Sequence, residues 1–175
     1  MDMQLSIRNV QISDAPRLIE IYSYYVLNTA VSFEYDVPSV DEFIRRIKNT
    51  TEQYPYLVCV KNDRVVGYAY AGAYSPRKAY EWTAAASIYV DKDYHRQGIG
   101  SLLYDSLEEK LRAQGIVNLL AGVAFCDKED EYLSHDSKKF HISKGYSQVA
   151  HMIKIGKSLA DGMIFYGFRR DYNHL

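Results

Sequence analysis

The chain has 175 residues and a net charge of −1, a length that fits one domain around a real hydrophobic core. Apolar residues make up 47% and charged residues 25%, an ordinary soluble globular composition. It has neither the basic patch or tail of a nucleic-acid binder nor an apolar run near the ~20 residues a membrane span requires.

MDMQLSIRNV lacks a basic segment followed by an apolar one, so no secretion signal is expected. Cys59 and Cys126 lie far apart in sequence, which together with the absent signal points to a reducing cytoplasm. LSIRNVQISD reads as a short strand that ends at a helix start, with Ser13 or Asp14 as the cap and Pro16 in the first turn. Leu18, Ile19, Tyr22, Tyr25 and Val26 recur at helical spacing. VPSVDEFIRRIKN predicts a second helix capped by Ser39. YLVCVKNDRVVGYAYAGAY predicts a hairpin turning at Asn62 and Asp63, and WTAAASIYV a further strand.

The next helix opens in YHRQGIGSLLYDSLEEKLRAQG. Ile99, Leu102, Leu103, Leu107 and Leu111 form one apolar stripe, with Glu108, Glu109, Lys110 and Arg112 facing away and Gly115 as the stop. VNLLAGVAF predicts a buried strand, so a strand–helix–strand unit sits at the centre and favours a parallel pairing there. DSKKFHISKGY predicts a short helix ended by Gly145. SQVAHMIKIG and MIFYGFRRDY predict a closing antiparallel pair. The order is β-α-α-β-β-β-α-β-α-β-β in a single domain over residues 1–175, an α/β (α+β) fold with a mixed sheet.

The N-terminus of the central helix carries the chemistry. Its first N–H groups have no partner inside the helix and carry the positive end of the dipole. Gly98 and Gly100 remove side chains from that end, and His95 and Arg96 add positive charge. The arrangement suits a phosphate or pyrophosphate. A dinucleotide fingerprint needs glycine where Leu103 stands, and a P-loop needs Lys and Ser/Thr after Gly100, where Ser101 and Leu102 stand. On the motif alone, a tight loop without a ligand is an equal reading.

VDKDYHRQGIGSLLYDSL resembles the acetyl-coenzyme A signature of the GCN5-related N-acetyltransferases, Q/R-x-x-G-x-G/A. Gly98 and Gly100 match, and His95 stands where the pattern has Gln or Arg. NTAVSFEY, YPYLVCV, VVGYAYAG, RKAYEWT, SIYV and SKGY resemble the phosphinothricin acetyltransferase-like subgroup, over roughly residues 5 to 170. The resemblance implies the GNAT fold: a mixed, mostly antiparallel central sheet with a splayed parallel strand pair and flanking helices.

The resemblance also implies an acetyl-coenzyme A-dependent N-acetyltransferase that needs no metal and acts by direct attack of an amine on the thioester. Its coenzyme would be held by Ile88, Tyr89 and Val90, by the turn His95, Arg96, Gln97, Gly98, Ile99, Gly100 and Ser101, and by Ser134 and Phe140. Its acceptor pocket would be Phe33, Tyr35, Tyr74, Arg77, Tyr80 and Trp82, where a guanidinium fork suits an amino-acid carboxylate or a phosphinate. His141 matches the residue that serves the leaving thiolate. The subgroup's usual catalytic glutamate falls on Ala85, which cannot take a proton. Glu34 and Glu81 are the candidates left for that role. Cys59 and Cys126 are read as structural. Two rival readings stand beside this one: the same fold acting on a polyamine, an antibiotic or a protein N-terminus, or a catalytically weak coenzyme-sensing module. A homodimer is expected, with the terminal strand at the contact.

Overall fold

The computed structural model describes residues 5–153 and 164–172. The elements are β1 (Leu5–Asn9), α1 (Ala15–Asn28), α2 (Val40–Thr51), β2 (Tyr56–Lys61), β3 (Arg64–Ala73), β4 (Thr83–Val90), α3 (Ile99–Ala113), β5 (Asn118–Phe125), α4 (Asp136–Ser143), β6 (Ser147–Ile153) and β7 (Ile164–Asp171). Their order is the one the sequence predicts. The predicted outer ends of the last two strands, 154–156 and 163, lie outside the described residues.

One sheet of seven strands runs β1-β2-β3-β4-β5-β7-β6. Among the described residues, only β4 and β5 pair in parallel, across the α3 crossover. Alternation sorts the side chains to two faces. Leu57, Cys59, Val66 and Ala69 meet Ile99, Leu103, Leu107 and Leu111 of α3. Tyr56, Val58 and Tyr68 meet Leu18, Ile21, Phe43 and Ile47 of α1 and α2 on the other face. No helix among the described residues is long and apolar enough to cross a membrane.

Local chemistry explains most boundaries. Asn62 and Asp63 both take positive φ, 50° and 59°, the conformation a two-residue hairpin turn requires. Ser39 accepts from the Glu42 N–H at 3.2 Å and starts α2. Gly115 and Gly145 take φ of 83° and 81° just past α3 and α4.

Three expectations are corrected. Ser13 lies inside a single 3₁₀ turn before α1. Asp14 stands at the N-cap position, but its carboxylate is spent on the Gln11 N–H at 2.7 Å and on Arg8 at 2.7 and 2.8 Å. On α3, Leu102 is exposed while Tyr104 and Glu108 are buried. The helix is covered on two sides, by the sheet and by the residues around Tyr146 and Tyr172, so its buried surface is wider than one stripe. Tyr146 donates to Glu108 at 3.0 Å and Arg112 donates to it at 3.3 Å, which satisfies the buried carboxylate. The terminal strand β7 is interior to the sheet, between β5 and β6, and the edge on that side is β6.

Candidate active site

The parallel seam is short. Thr83–Ala86 pair with Asn118–Ala121, and there the pairing ends, although β4 continues to Val90 and β5 to Phe125. Beyond that point β4 keeps only β3 and β5 keeps only β7. The two strands therefore part in a V. The Asp91 N–H donates to Val66 O at 2.9 Å, on the β3 side. Strand alternation then turns the amides of Ile88 and Val90 to the open side of the V. The Tyr89 backbone belongs to the β3 ladder, opposite Tyr68, and its ring packs with Tyr22 and Tyr25 on the other face. Of the three strand residues expected at the coenzyme, Ile88 and Val90 offer their amides there and Tyr89 does not.

The turn from His95 to Ser101 leads from the tip of β4 into α3. Arg96 and Gly98 both take left-handed backbone, φ 60° and 80°. Gly98 is the N-cap and supplies no side-chain bond. The first helical bond is Leu102 N–H to Gly98 O at 3.1 Å, so the amides of Ile99, Gly100 and Ser101 have no acceptor in the helix. The two glycines serve different needs. A Cβ at Gly98 would meet nothing within 4 Å, so the turn is open beside that residue. A Cβ at Gly100 would come within 3.3–3.4 Å of the Phe140 ring, so this glycine lets α4 approach α3.

Around the turn, Arg96 is exposed and pairs with Asp136 of α4 at 3.4 Å. Gln97 accepts from Lys61 at 2.7 Å. Ile99 is core, Ser101 is half-buried and Ser134 is exposed before α4. The His95 ring turns back toward the V, with Nε2 at 2.9 Å from the Tyr25 hydroxyl and 3.1 Å from Val90 O.

His141 is 3% exposed and both ring nitrogens are engaged. Nδ1 lies 2.7 Å from Ser137 O and Nε2 lies 2.9 Å from the Tyr104 hydroxyl. A carbonyl only accepts, so Nδ1 carries the proton and Nε2 accepts from Tyr104. Burial pushes the imidazole below its ordinary range, against the Ser137 carbonyl, and holds it neutral. Tyr104 is a residue the sequence reading missed; it sits at helical spacing with the apolar stripe and reads there as core. Burial raises the thiols of Cys59, to about 11, and of Cys126, so neither is an activated nucleophile.

On the opposite face, register fixes the floor of a second site. Gly72 pairs with Ala85 and Tyr70 with Ser87. A Cβ at Gly72 would meet nothing within 4 Å, so the sheet is open at that position, and Ala85 beside it is half-buried. Glu34, in the connection between α1 and α2, pairs with Arg46 of α2 at 2.7 Å through Oε1. Its Oε2 is buried and has no hydrogen-bond partner among the described residues. Glu81 is exposed beyond a 3₁₀ turn at Lys78–Tyr80. Phe33, Tyr74, Arg77, Tyr80 and Trp82 are all exposed, and the rings of Tyr74 and Tyr80 meet edge to face at 5.6 Å.

Comparison with known proteins identifies the family and the fold. Residues 7–160 match the family model of the acetyltransferase (GNAT) domain. The phosphinothricin N-acetyltransferase of Streptomyces viridochromogenes is 30% identical over 144 residues, 82% of this chain and 74% of that protein. The L-methionine sulfoximine/L-methionine sulfone acetyltransferase of Pseudomonas paraeruginosa is 32% identical over 123 residues, 69% of this chain and 72% of that protein. A GNAT superfamily phosphinothricin acetyltransferase from Sinorhizobium meliloti, solved in complex with AcCoA, superposes with a TM-score of 0.87 at 27% identity, over 97% of this chain and 89% of that one. With the parted strands, the open turn and these likenesses together, the chain belongs to the acetyltransferase (GNAT) family, in its phosphinothricin acetyltransferase-like branch, and is an N-acetyltransferase.

Proposed function

We propose that the protein uses acetyl-coenzyme A to acetylate the amine of a small amino-acid-like acceptor. The observation that carries the reading is the V between β4 and β5 beside the uncapped start of α3. Together they offer a row of unpaired amides to a diphosphate and a thioester arm, and the site needs no metal. The named substrates of the relatives, phosphinothricin and methionine sulfoximine, support the acceptor class.

When bound, acetyl-coenzyme A supplies an electrophilic carbonyl and a thiolate leaving group. The amides of Gly98, Ile99, Gly100 and Ser101 bind the diphosphate, with the positive helix end behind them. Arg96 adds charge at the rim, His95 and Gln97 frame the turn, and Phe140 and Ser134 flank it from the α4 side. The amides of Ile88 and Val90 donate to the arm and stabilise charge on the carbonyl oxygen. Arg77 takes the acceptor carboxylate in two-point contact, among Phe33, Tyr35, Tyr74, Tyr80 and Trp82.

Glu34 is the proton acceptor: an acceptor N–H bond breaks, its proton passes to the unpartnered Oε2, and the nitrogen lone pair is freed for attack. The exposed Glu81 is the alternative at the pocket rim. As the nitrogen–carbonyl bond forms, the C–S bond breaks and the thiolate leaves; His141, with Nδ1–H held by Ser137 O and Nε2 accepting from Tyr104, acts by orienting the Tyr104 hydroxyl on the leaving-group side. The reading carries with it a cytoplasmic homodimer. Both cysteines are free, and the edge strand β6 exposes Val149 and Ile153.

Ala85 favours a second reading, a coenzyme sensor that has lost turnover. Coenzyme A calorimetry with wild type and Arg96→Glu, followed by thiol release across amino-acid and polyamine panels, tests both. Binding weakened by Arg96→Glu, with release on amino acids, supports the first reading. Binding without release on either panel supports the second, and no binding at all removes both.

A further inference from the structure

A strand is the natural seat for a proton acceptor, because strands hold geometry better than loops. Here Glu34 sits on the connection between two helices, the kind of segment that is ordinarily more mobile. A carboxylate there works only if something else fixes it.

Three contacts do so. The Glu34 N–H donates to Ser32 Oγ at 3.1 Å. Ser32 in turn meets the Tyr22 hydroxyl of α1 at 2.8 Å. The carboxylate head is held by Arg46 of α2, whose Nη1 reaches Oε1 at 2.7 Å while its Nε reaches Glu42 Oε1 at 2.9 Å. The guanidinium therefore bridges Glu34 and the first turn of its own helix. It engages one Glu34 oxygen and leaves the other, buried Oε2, unpartnered among the described residues.

The Glu34 carboxylate lies near two tyrosines of the same face. Burial is the main cause that raises the phenols of Tyr22 and Tyr89, and the charge of Glu34 adds to both. Tyr89 is on β4, on the same face as Ala85. Arg46 thus holds Glu34 on the side of the sheet that carries Ala85, where the strand glutamate is missing.

We infer that Arg46 is a positioning residue of the acetyl transfer: it fixes one oxygen of Glu34 and presents the other to the acceptor amine. The inference rests on the reading of Glu34 as proton acceptor. Arg46 is assigned no contact of its own with either substrate, so its effect on turnover should run through Glu34.

A double-mutant cycle tests this, with coenzyme A calorimetry and thermal melting run on every variant. Arg46 is partly exposed, so Arg46→Met is expected to fold and to bind coenzyme A as wild type does. Its kcat is expected to fall on the order of 10²-fold, the scale of a misplaced reacting group. In the Glu34→Gln background, Arg46→Met should cause no further loss, because the two residues act as a unit. Full activity in Arg46→Met beside a slow Glu34→Gln overturns the inference alone, as do losses that multiply. A fully active Glu34→Gln overturns the reading of Glu34, and the role of Arg46 with it.

Discussion

Ala86 of β4 and Ala121 of β5 are the last residues to face each other across the parallel seam, and both are buried. The V opens directly above them, so the smallest side chains stand at its vertex. Ala121→Leu overfills that vertex and should destabilise by about 1–3 kcal/mol. Coenzyme A binding should weaken beyond what the melting shift explains, because the strands spread; calorimetry beside thermal melting separates the two.

Gly98 combines a left-handed backbone with open space, so a substitution there meets strain and no clash. Gly98→Ala should cost about 1–2 kcal/mol. Gly98→Asn should cost less, since asparagine visits that region more readily. Denaturant titration should rank wild type above Gly98→Asn, and Gly98→Asn above Gly98→Ala.

Ala85 lies opposite Gly72, where a side chain would meet nothing within 4 Å. A glutamate should fit at 85 and face the acceptor site from the strand. Loss of a general base is worth on the order of 10²–10⁴ in rate. Ala85→Glu in a Glu34→Gln background should therefore recover part of the lost kcat. Steady-state kinetics that find the double variant as slow as Glu34→Gln would place the amine elsewhere.

His141 ties stability to pH. Folding lowers its pKa, chiefly by burial, so below ~6.5 the unfolded chain binds the proton more readily than the native one. The contribution is complete above that pH and is lost as pH falls. Gln at 141 can still donate to Ser137 O and accept from Tyr104 without titrating. Melting temperatures recorded between about pH 5 and 7.5 should fall more steeply toward acid for wild type than for His141→Gln.

Much of this was legible in the sequence. Element order follows from periodicity and from turn residues such as Asn62–Asp63, Gly115 and Gly145, whose backbone needs are local. The parallel seam follows from the strand–helix–strand unit. Side-chain partnership did not follow. The burial of Glu108 depends on Tyr146, 38 positions away, and helical spacing cannot encode it. Tyr104 and His141 are likewise brought together only by α4 folding against α3. At Gly100 the missing Cβ also makes room for the Phe140 ring, a packing need between two helices that the motif alone does not reveal.

Trp82 is the only tryptophan in the chain. Its carbonyl accepts from the N–H groups of Val117 and Asn118 at 2.9 and 3.1 Å, at the base of the seam. Its indole is 66% exposed beside the proposed acceptor entrance. Red-edge excitation, which tyrosine does not absorb, therefore reports on a single indole: its emission from the unmodified protein can follow occupancy of that entrance in real time, with no label attached.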